Sequence, residues 1–359
     1  MFTVPIMTSH SKAPTQKDLA RRLGVSQSLV SRVLTGKADR LGASPTTVKR
    51  IRRIAKAAGY RPSPLAAALR GGSTRSFGVV VKDFRDPFFG HVLGELQSLA
   101  SRHHYALLLT GKEPDDLAAL RKYSPDGLII LGSDFEPDGL EAFLNDGKRA
   151  VRVGWGKPRE GMDRVVMDEV CGLNLLLDCL TGQGHRRFGF LGTDSSLHQR
   201  RDGLLRHLLK DRGFETESVF LCIPRPSAEA GREGLKRLWS LPSFTRPTAI
   251  LAADDLVAHG VLRAAASQGI SIPRSLSVTG IDDLPFSELT VPALTTIRQP
   301  IRRMIQSVFS CLLKTGTRSP EEIRVKPGFR LRESTGPASR LTLNKEKNEK
   351  NKYVAECSG

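Results

Sequence analysis

No stretch of this 359-residue chain approaches the roughly 18 consecutive apolar residues that a membrane-spanning helix needs. The opening MFTVPIM also lacks the basic flank and long apolar core of an export signal, so a cytoplasmic location with no membrane partner is expected. Cysteine is scarce. Its five occurrences (Cys171, Cys179, Cys222, Cys311, Cys357) are scattered, odd in number and never spaced as CxxC, which argues against a disulfide framework and a zinc knuckle. Catalytic signatures are missing as well: there is no G-x-S-x-G elbow, Walker A loop or H-E-x-x-H. GQGHRRFG lacks the third glycine of a dinucleotide fingerprint and precedes its strand instead of following one. AADDL and IDDLP offer adjacent carboxylates, but neighbours at a strand end point to opposite faces, whereas an acid–base pair must flank a bond. The chain is therefore expected to be neither an enzyme nor a holder of a cofactor or metal.

Acidic residues are nearly absent from one end. Up to Ser76 there are two, Asp18 and Asp39, against fifteen lysines and arginines, a net +13 of the total +18. A small, strongly basic module joined to a larger, nearly balanced one suggests a polyanion-binding head on a body with another job. At 39% hydrophobic content the chain has material for two or three well-buried domains.

Within the head, TQKDLARRLG carries a capping-box pattern at Thr15 and Asp18, places Leu19 and Leu23 on one face, and stops at Gly24. Ser26 is suited to cap a second helix, and SPTTVKRIRRIAKAAG starts a third with Ser44 as cap and Pro45 in its first turn, ending at Gly59. Three short helices with a tight turn between the first two form a helix-turn-helix. On the second helix, Leu29, Val30, Val33 and Leu34 share one face, while Gln27, Ser28, Ser31 and Arg32 share the other. Turned toward a major groove, Arg32 can bond a guanine bidentately and Gln27 an adenine, with Ser28 beside them; Thr15, Ser26 and Ser31 are expected at the DNA backbone.

TQKDLARRLGVSQSLVSRVLTGK together with GYRPSPLAAALRGG resembles the head and hinge of LacI/GalR-type transcriptional regulators. Gly24, Val25, Ser26, Val30, Ser31, Arg32, Val33 and Leu34 fit the family pattern G-V-S-x-x-T-V-S-R-V-L-N, and Leu29 and Thr35 depart from it. KADRLGAS makes the loop before the third helix about three residues longer than the usual family form, with Arg40 a possible phosphate contact. The Ala-rich SPLAAALR is too short to be stable alone, so DNA and a second subunit would have to dock it. The resemblance makes Leu69 the lever that wedges into the minor groove.

From Phe77 onward, nine short β-branched runs alternate with amphipathic stretches, the pattern of parallel sheets covered by helices: FGVVVKD, YALLLTG, DGLIILG, AVRVGW, RVVMD, FGFLG, VFLCIP, TAILAADD and LSVTGID. Their endings at Asp83, Thr110, Asp168, Asp254 and Asp282 converge on a candidate pocket. The family likeness continues through VVMDEVCG, GHRRFGFLG, RRDG, IPRSLSVTGIDDLP and RLRESTG. It implies a periplasmic-binding-protein-like pair of lobes, with crossovers near Gly161, near Leu294 and after Pro320. An effector, a sugar by preference, would lie between one of Phe88 and Phe89 on the first lobe and Arg200, Asp254 and Asp282 on the second. Asp254 replaces the family's usual Asn, which argues against a phosphorylated ligand. Asp168 and Asp255 read better as helix-start residues than as ligand contacts.

The reading is thus an all-α helix-turn-helix head on an α/β periplasmic-binding-protein-like two-lobed body. Residues 1–13 form a disordered extension, 14–61 the DNA-binding domain, 62–76 the hinge helix and linker, 77–336 the effector-binding and dimerisation body, and 337–359 a disordered tail. The implied function is a homodimeric regulator that binds a palindromic operator and responds to a small ligand. The alternatives are a solute-binding protein, which would need an export signal and have no use for a basic head, and an α/β enzyme without a DNA role.

Overall fold

The computed structural model describes residues 14–34, 44–60, 73–214, 219–224, 227–314 and 319–338. Residues 1–13, the loop with Arg40, the hinge segment with Leu69, and 339–359 lie outside the described residues. The chain divides into two compact units, Met1–Thr74 and Arg75–Gly359.

In the first unit, helix α1 (Gln16–Leu23) starts on a complete capping box, in which the Thr15 side chain accepts from Asp18 N–H and the Asp18 carboxylate accepts from Thr15 N–H. Gly24 closes it in the left-handed region at φ 67°, where glycine carries no Cβ penalty. Helix α2 (Gln27–Leu34) follows, and α3 (Pro45–Ala57) begins on the Ser44 cap with Pro45 at its start. Leu19, Ala20, Leu23, Val30, Val33, Ile51 and Ala55 form the core, with Leu29 and Leu34 packed at its edge. Each fully buried Leu, Val or Ile contributes about 1.5–3 kcal/mol, enough for three short helices to hold one another when none would persist alone.

The second unit contains, in chain order, β1 (Ser76–Val81), α4 (Pro87–Arg102), β2 (Ala106–Thr110), α5 (Asp116–Arg121), β3 (Gly127–Leu131), α6 (Leu140–Asn145), β4 (Arg149–Val153), β5 (Met162–Met167), α7 (Glu169–Gly182), β6 (Phe188–Thr193), α8 (Ser196–Asp211), β7 (Val219–Ile223), α9 (Ser227–Trp239), β8 (Ala249–Ala252), α10 (Asp255–Ser267), β9 (Ser277–Asp282), β10 (Thr295–Arg298), α11 (Ile301–Leu313), β11 (Glu322–Val325) and β12 (Gly328–Arg330). All nine strand runs singled out in the sequence are strands; β10, β11 and β12 are additional. Two six-stranded sheets result, ordered β11-β5-β4-β3-β1-β2 and β12-β10-β9-β8-β6-β7. The first is parallel throughout, and the second is parallel except where β12 runs antiparallel to β10. The central strands are buried along their length, as a parallel sheet covered on both faces requires.

The two lobes exchange segments three times: from β5 into α7 at Asp168, from β10 into α11 at Gln299 and Pro300, and from β11 into β12 at Lys326 and Pro327. The first two crossings fall several residues after the positions expected at Gly161 and Leu294, because the strands there continue in their own sheets. Helices α9 and α10 cross so closely that a Cβ on Gly231 would lie 2.0 Å from Val257 O, and one on Gly260 the same distance from Ala228 O. This approach sets Ser227 at the start of α9 against Asp254, the cap of α10. Pro337 and Ala338, expected to belong to the disordered tail, are placed, with Ala338 N–H donating to Gln183 O at 2.9 Å. His185 ties down the same end through Gly336 O at 3.0 Å while its ring also meets Thr248 and Ser277. Among the described residues no helix is long and apolar enough to cross a membrane.

Candidate functional site

Two sites emerge, one in each unit. In the head, the buried Val30 and Val33 orient α2, so that Gln27, Ser28 and Arg32 are exposed on the face away from the core. Ser31 is half-buried. Ser26 Oγ accepts from Leu29 N–H at 3.3 Å and lies 3.1 Å from Ser28 Oγ, so it caps the helix. Thr15 is likewise held in its capping box. Arg21, Arg22, Lys49, Arg50, Arg52, Arg53 and Lys56 add exposed positive charge to the same unit.

In the body, each sheet reverses its winding beside its first strand, the place where open α/β sheets bind ligands. The carboxyl ends of β1, β3, β6 and β8 deliver Lys82, Asp83, Gly132, Ser133, Thr193, Asp194 and Asp254 to one cavity of about 640 Å³. Its walls come from both lobes, as in a cleft able to enclose a small molecule.

The sequence-derived ligand residues are unequally placed. Phe88 and Phe89 both line the cavity, although only one was expected to; they meet edge-on with centroids 5.5 Å apart, Phe89 anchored in the lobe core. Asp254 and Asp282 line it too. Asp254 caps α10 by accepting from Val257 N–H at 2.7 Å, and also meets Ser227 Oγ at 3.1 Å and His198 Nε2 at 3.2 Å. Burial pushes the Asp254 carboxyl up, but the His198 hydrogen bond and charge, Val257 N–H and Arg201 together outweigh it and hold it below its ordinary value. Asp282 has φ 130°, a conformation that side-chain-bearing residues rarely adopt, and accepts from the Gln299 amide at 2.7 Å. Burial, opposed by Arg201 and reinforced by Asp255 and Asp254, keeps its carboxyl well above the ordinary range.

Arg200 is not among the lining residues; its neighbour Arg201 is. Arg200 stacks on Trp155 of the other lobe at 3.5 Å and reaches Glu169 at 3.2 Å. Arg201 is buried, with Nε 2.8 Å from Glu169 and a further bond to Ala253 O. The helix period decides the matter: His198, Arg201, Leu205 and Leu209 form the inward face of α8, and Arg200 is one step round from it. Of the other expected strand-end residues, Asp83 lines the cavity, whereas Asp168 caps α7 by accepting from Cys171 N–H at 3.0 Å and Thr110 sits at a sheet edge. Asp255 begins α10 and is completely buried, accepting from Leu284 N–H at 2.8 Å and from the hydroxyls of Ser287 and Thr296. Glu169, His198, Trp155, Asp86 and Gln299 also line the cleft and were not singled out from sequence.

A helix-turn-helix head joined to a two-lobed, periplasmic-binding-protein-like body defines a ligand-responsive DNA-binding regulator. Residues 15–63 match the family described as bacterial regulatory proteins, lacI family, and residues 177–335 match the periplasmic binding protein-like domain. The chain is 31% identical over 299 residues to the transcriptional regulator GalS of Salmonella typhimurium, covering 81% of this chain and 86% of that one. It is similar in structure to a LacI family regulator from Enterococcus faecium with bound ribose, at TM-score 0.66 and 25% identity over 73% of this chain and 99% of that one. The fold is also that of the lac repressor dimer bound to operator and an anti-inducer, at TM-score 0.74 and 21% identity over 90% of this chain and the whole of the other. The chain belongs to the LacI family of bacterial transcriptional regulators.

Proposed function

We propose that this regulator is a repressor acting in the cytoplasm as a homodimer. Residues 14–61 grip each half of a palindromic operator, 62–76 form the hinge with Leu69 as its minor-groove lever, and 77–336 bind the effector and dimerise. Gln27, Ser28 and Arg32 read bases, and Thr15, Ser26 and Ser31 meet the backbone. The observation that carries the reading is the union in one chain of a capped three-helix head presenting Gln27, Ser28 and Arg32 to solvent with a cleft lined from two lobes. Pairing of two heads follows from half-site geometry.

The effector is a sugar, held by Phe88 and Phe89 from the first lobe and by Asp254, Asp282 and the Arg201–Glu169 pair from the second. An aromatic face suits the apolar side of a sugar ring, and carboxylates suit its hydroxyls. The ribose-bound E. faecium relative supports that class. Arg200 acts on the ligand only indirectly, by stacking on Trp155. The role is binding, not catalysis, in keeping with the regulators the chain resembles.

The ligand must bind the open and closed lobe arrangements with different affinity in order to change operator binding. Selection of preferred sites from random duplexes by the full-length protein tests the DNA role. A two-fold symmetric consensus is expected; enrichment of nothing beyond salt-sensitive, sequence-independent binding would overturn it.

A further inference from the structure

If the cleft is the effector site, its charge balance specifies more about the ligand than "sugar". Among the interior ionisable groups, four carboxylates, Glu169, Asp254, Asp86 and Asp282, face two side chains of fixed positive charge: Arg201, 2.8 Å from Glu169, and Lys82, whose ammonium donates to the uncharged Ser133 O at 2.8 Å, while Asp254 hydrogen-bonds to His198 at 3.2 Å. Carboxylates outnumber these cations by two. Among the described residues neither Asp86 nor Asp282 has a cation within ion-pair distance: Asp86 accepts from Phe88 N–H at 2.9 Å, and Asp282 from the Gln299 amide at 2.7 Å. The outer cations do not fill the gap, since Arg85 is held by Asp83 at 3.0 Å and Lys112 is exposed.

Asp86 belongs to the first lobe and Asp254 to the second, and they sense each other's charge across the cleft: burial raises the Asp86 carboxyl first, and Asp254 and Asp83 add to it, with His198 opposing. Closing the lobes expels water and strengthens that repulsion. A ligand with hydroxyls alone satisfies carboxylate lone pairs but leaves the negative charge uncompensated, and an anionic ligand makes it worse. We propose that the effector carries a cationic nitrogen, as an amine-bearing sugar or polyol does, and that its ammonium is shared by Asp86 of one lobe with Asp254 and Asp282 of the other. An ammonium offers three donors and one positive charge to three carboxylates. Bridging the lobes in this way also supplies the differential affinity for the closed arrangement that effector control requires.

Calorimetric titration of the full-length protein with D-glucosamine, D-galactosamine and D-mannosamine, each beside its neutral hexose and N-acetyl form, tests this, with glucose 6-phosphate as the anionic probe. At least one amine is expected to bind about tenfold more tightly than both uncharged partners, the gain from a charge-assisted over a neutral hydrogen bond. Asp86→Asn keeps the helix-capping oxygen, and Asp254→Asn does likewise; each should shrink that preference to about threefold or less while a thermal melt shows a folded protein. A neutral hexose or the phosphate binding as tightly as any amine overturns the charge assignment and leaves the effector site standing. Failure of every probe, with operator affinity unmoved, overturns both.

Discussion

Glu169→Gln tests the electrostatic floor of the cleft. Glu169 is 4% exposed and accepts from Arg201 at 2.8 Å and from Arg200 at 3.2 Å, while the Arg201 side chain is itself 4% exposed. The amide is nearly isosteric, so packing is preserved and the loss is one of charge. An arginine left buried without its partner typically costs 3–5 kcal/mol, and the nearby Asp282 and Asp254 place the expected loss at about 3 kcal/mol. For a body of this size that corresponds to a melting temperature lower by roughly 6–12 °C, read by scanning calorimetry or by circular dichroism. Adding Arg201→Met should recover part of the loss, because it removes the buried positive charge that Glu169→Gln leaves without its partner. An unchanged melting temperature in Glu169→Gln, or no recovery in the double variant, would refute the idea that Glu169 holds Arg201 in place by charge.

Arg32→Ala is expected to cost about 1–3 kcal/mol on the preferred operator and little on random duplex, measured by anisotropy at fixed salt; equal losses would reassign Arg32 to the backbone. Asp282→Ala should abolish the ligand-dependent change in operator affinity, and an unchanged response would remove Asp282 from the pocket. Asp255 has its carboxyl raised from the ordinary 3.8 to about 6 by burial, against the Ser287, Thr296 and Leu284 hydrogen bonds. The folded state thus holds this proton more tightly than the unfolded chain, so the stabilisation is full below about pH 4 and is lost as the pH rises through about 6. The melting-temperature difference between wild type and Asp255→Asn should therefore change between pH 4 and pH 6.5, and a constant difference would contradict the raised value.

Elements with strong local signals were legible in the chain. Thr15 with Asp18, Gly24, and Ser44 with Pro45 mark helix ends through hydrogen bonds and backbone angles that involve only near neighbours, and each functions as marked. The nine β-branched runs were legible for the same reason, and the alternation of strand and helix was enough for two parallel lobes. The remaining features depend on partners distant in sequence. TTIR, EIRV and GFR are too short for a period to register and become strands only by pairing with β9, β5 and β10. Where the chain changes lobe is set by which sheet completes its hydrogen bonds, so the first two crossings fall beyond the expected positions.

The cleft divides in the same way. Strand-end aspartates were visible because the βα repeat places them at one end of a sheet, but their protonation and partners were not. The family pattern R-x-x-G pointed to Arg200, whereas the helical face shared by His198, Leu205 and Leu209 turns Arg201 inward, a choice the period alone could have made. Nothing local joins Glu169 to Arg201, Asp254 to His198, or Trp155 to Arg200; these contacts exist because two lobes and three crossings bring separate segments together. Local sequence determined which elements form, and tertiary structure decided which charges meet, since burial and Coulomb energy depend on distances that chain order does not specify.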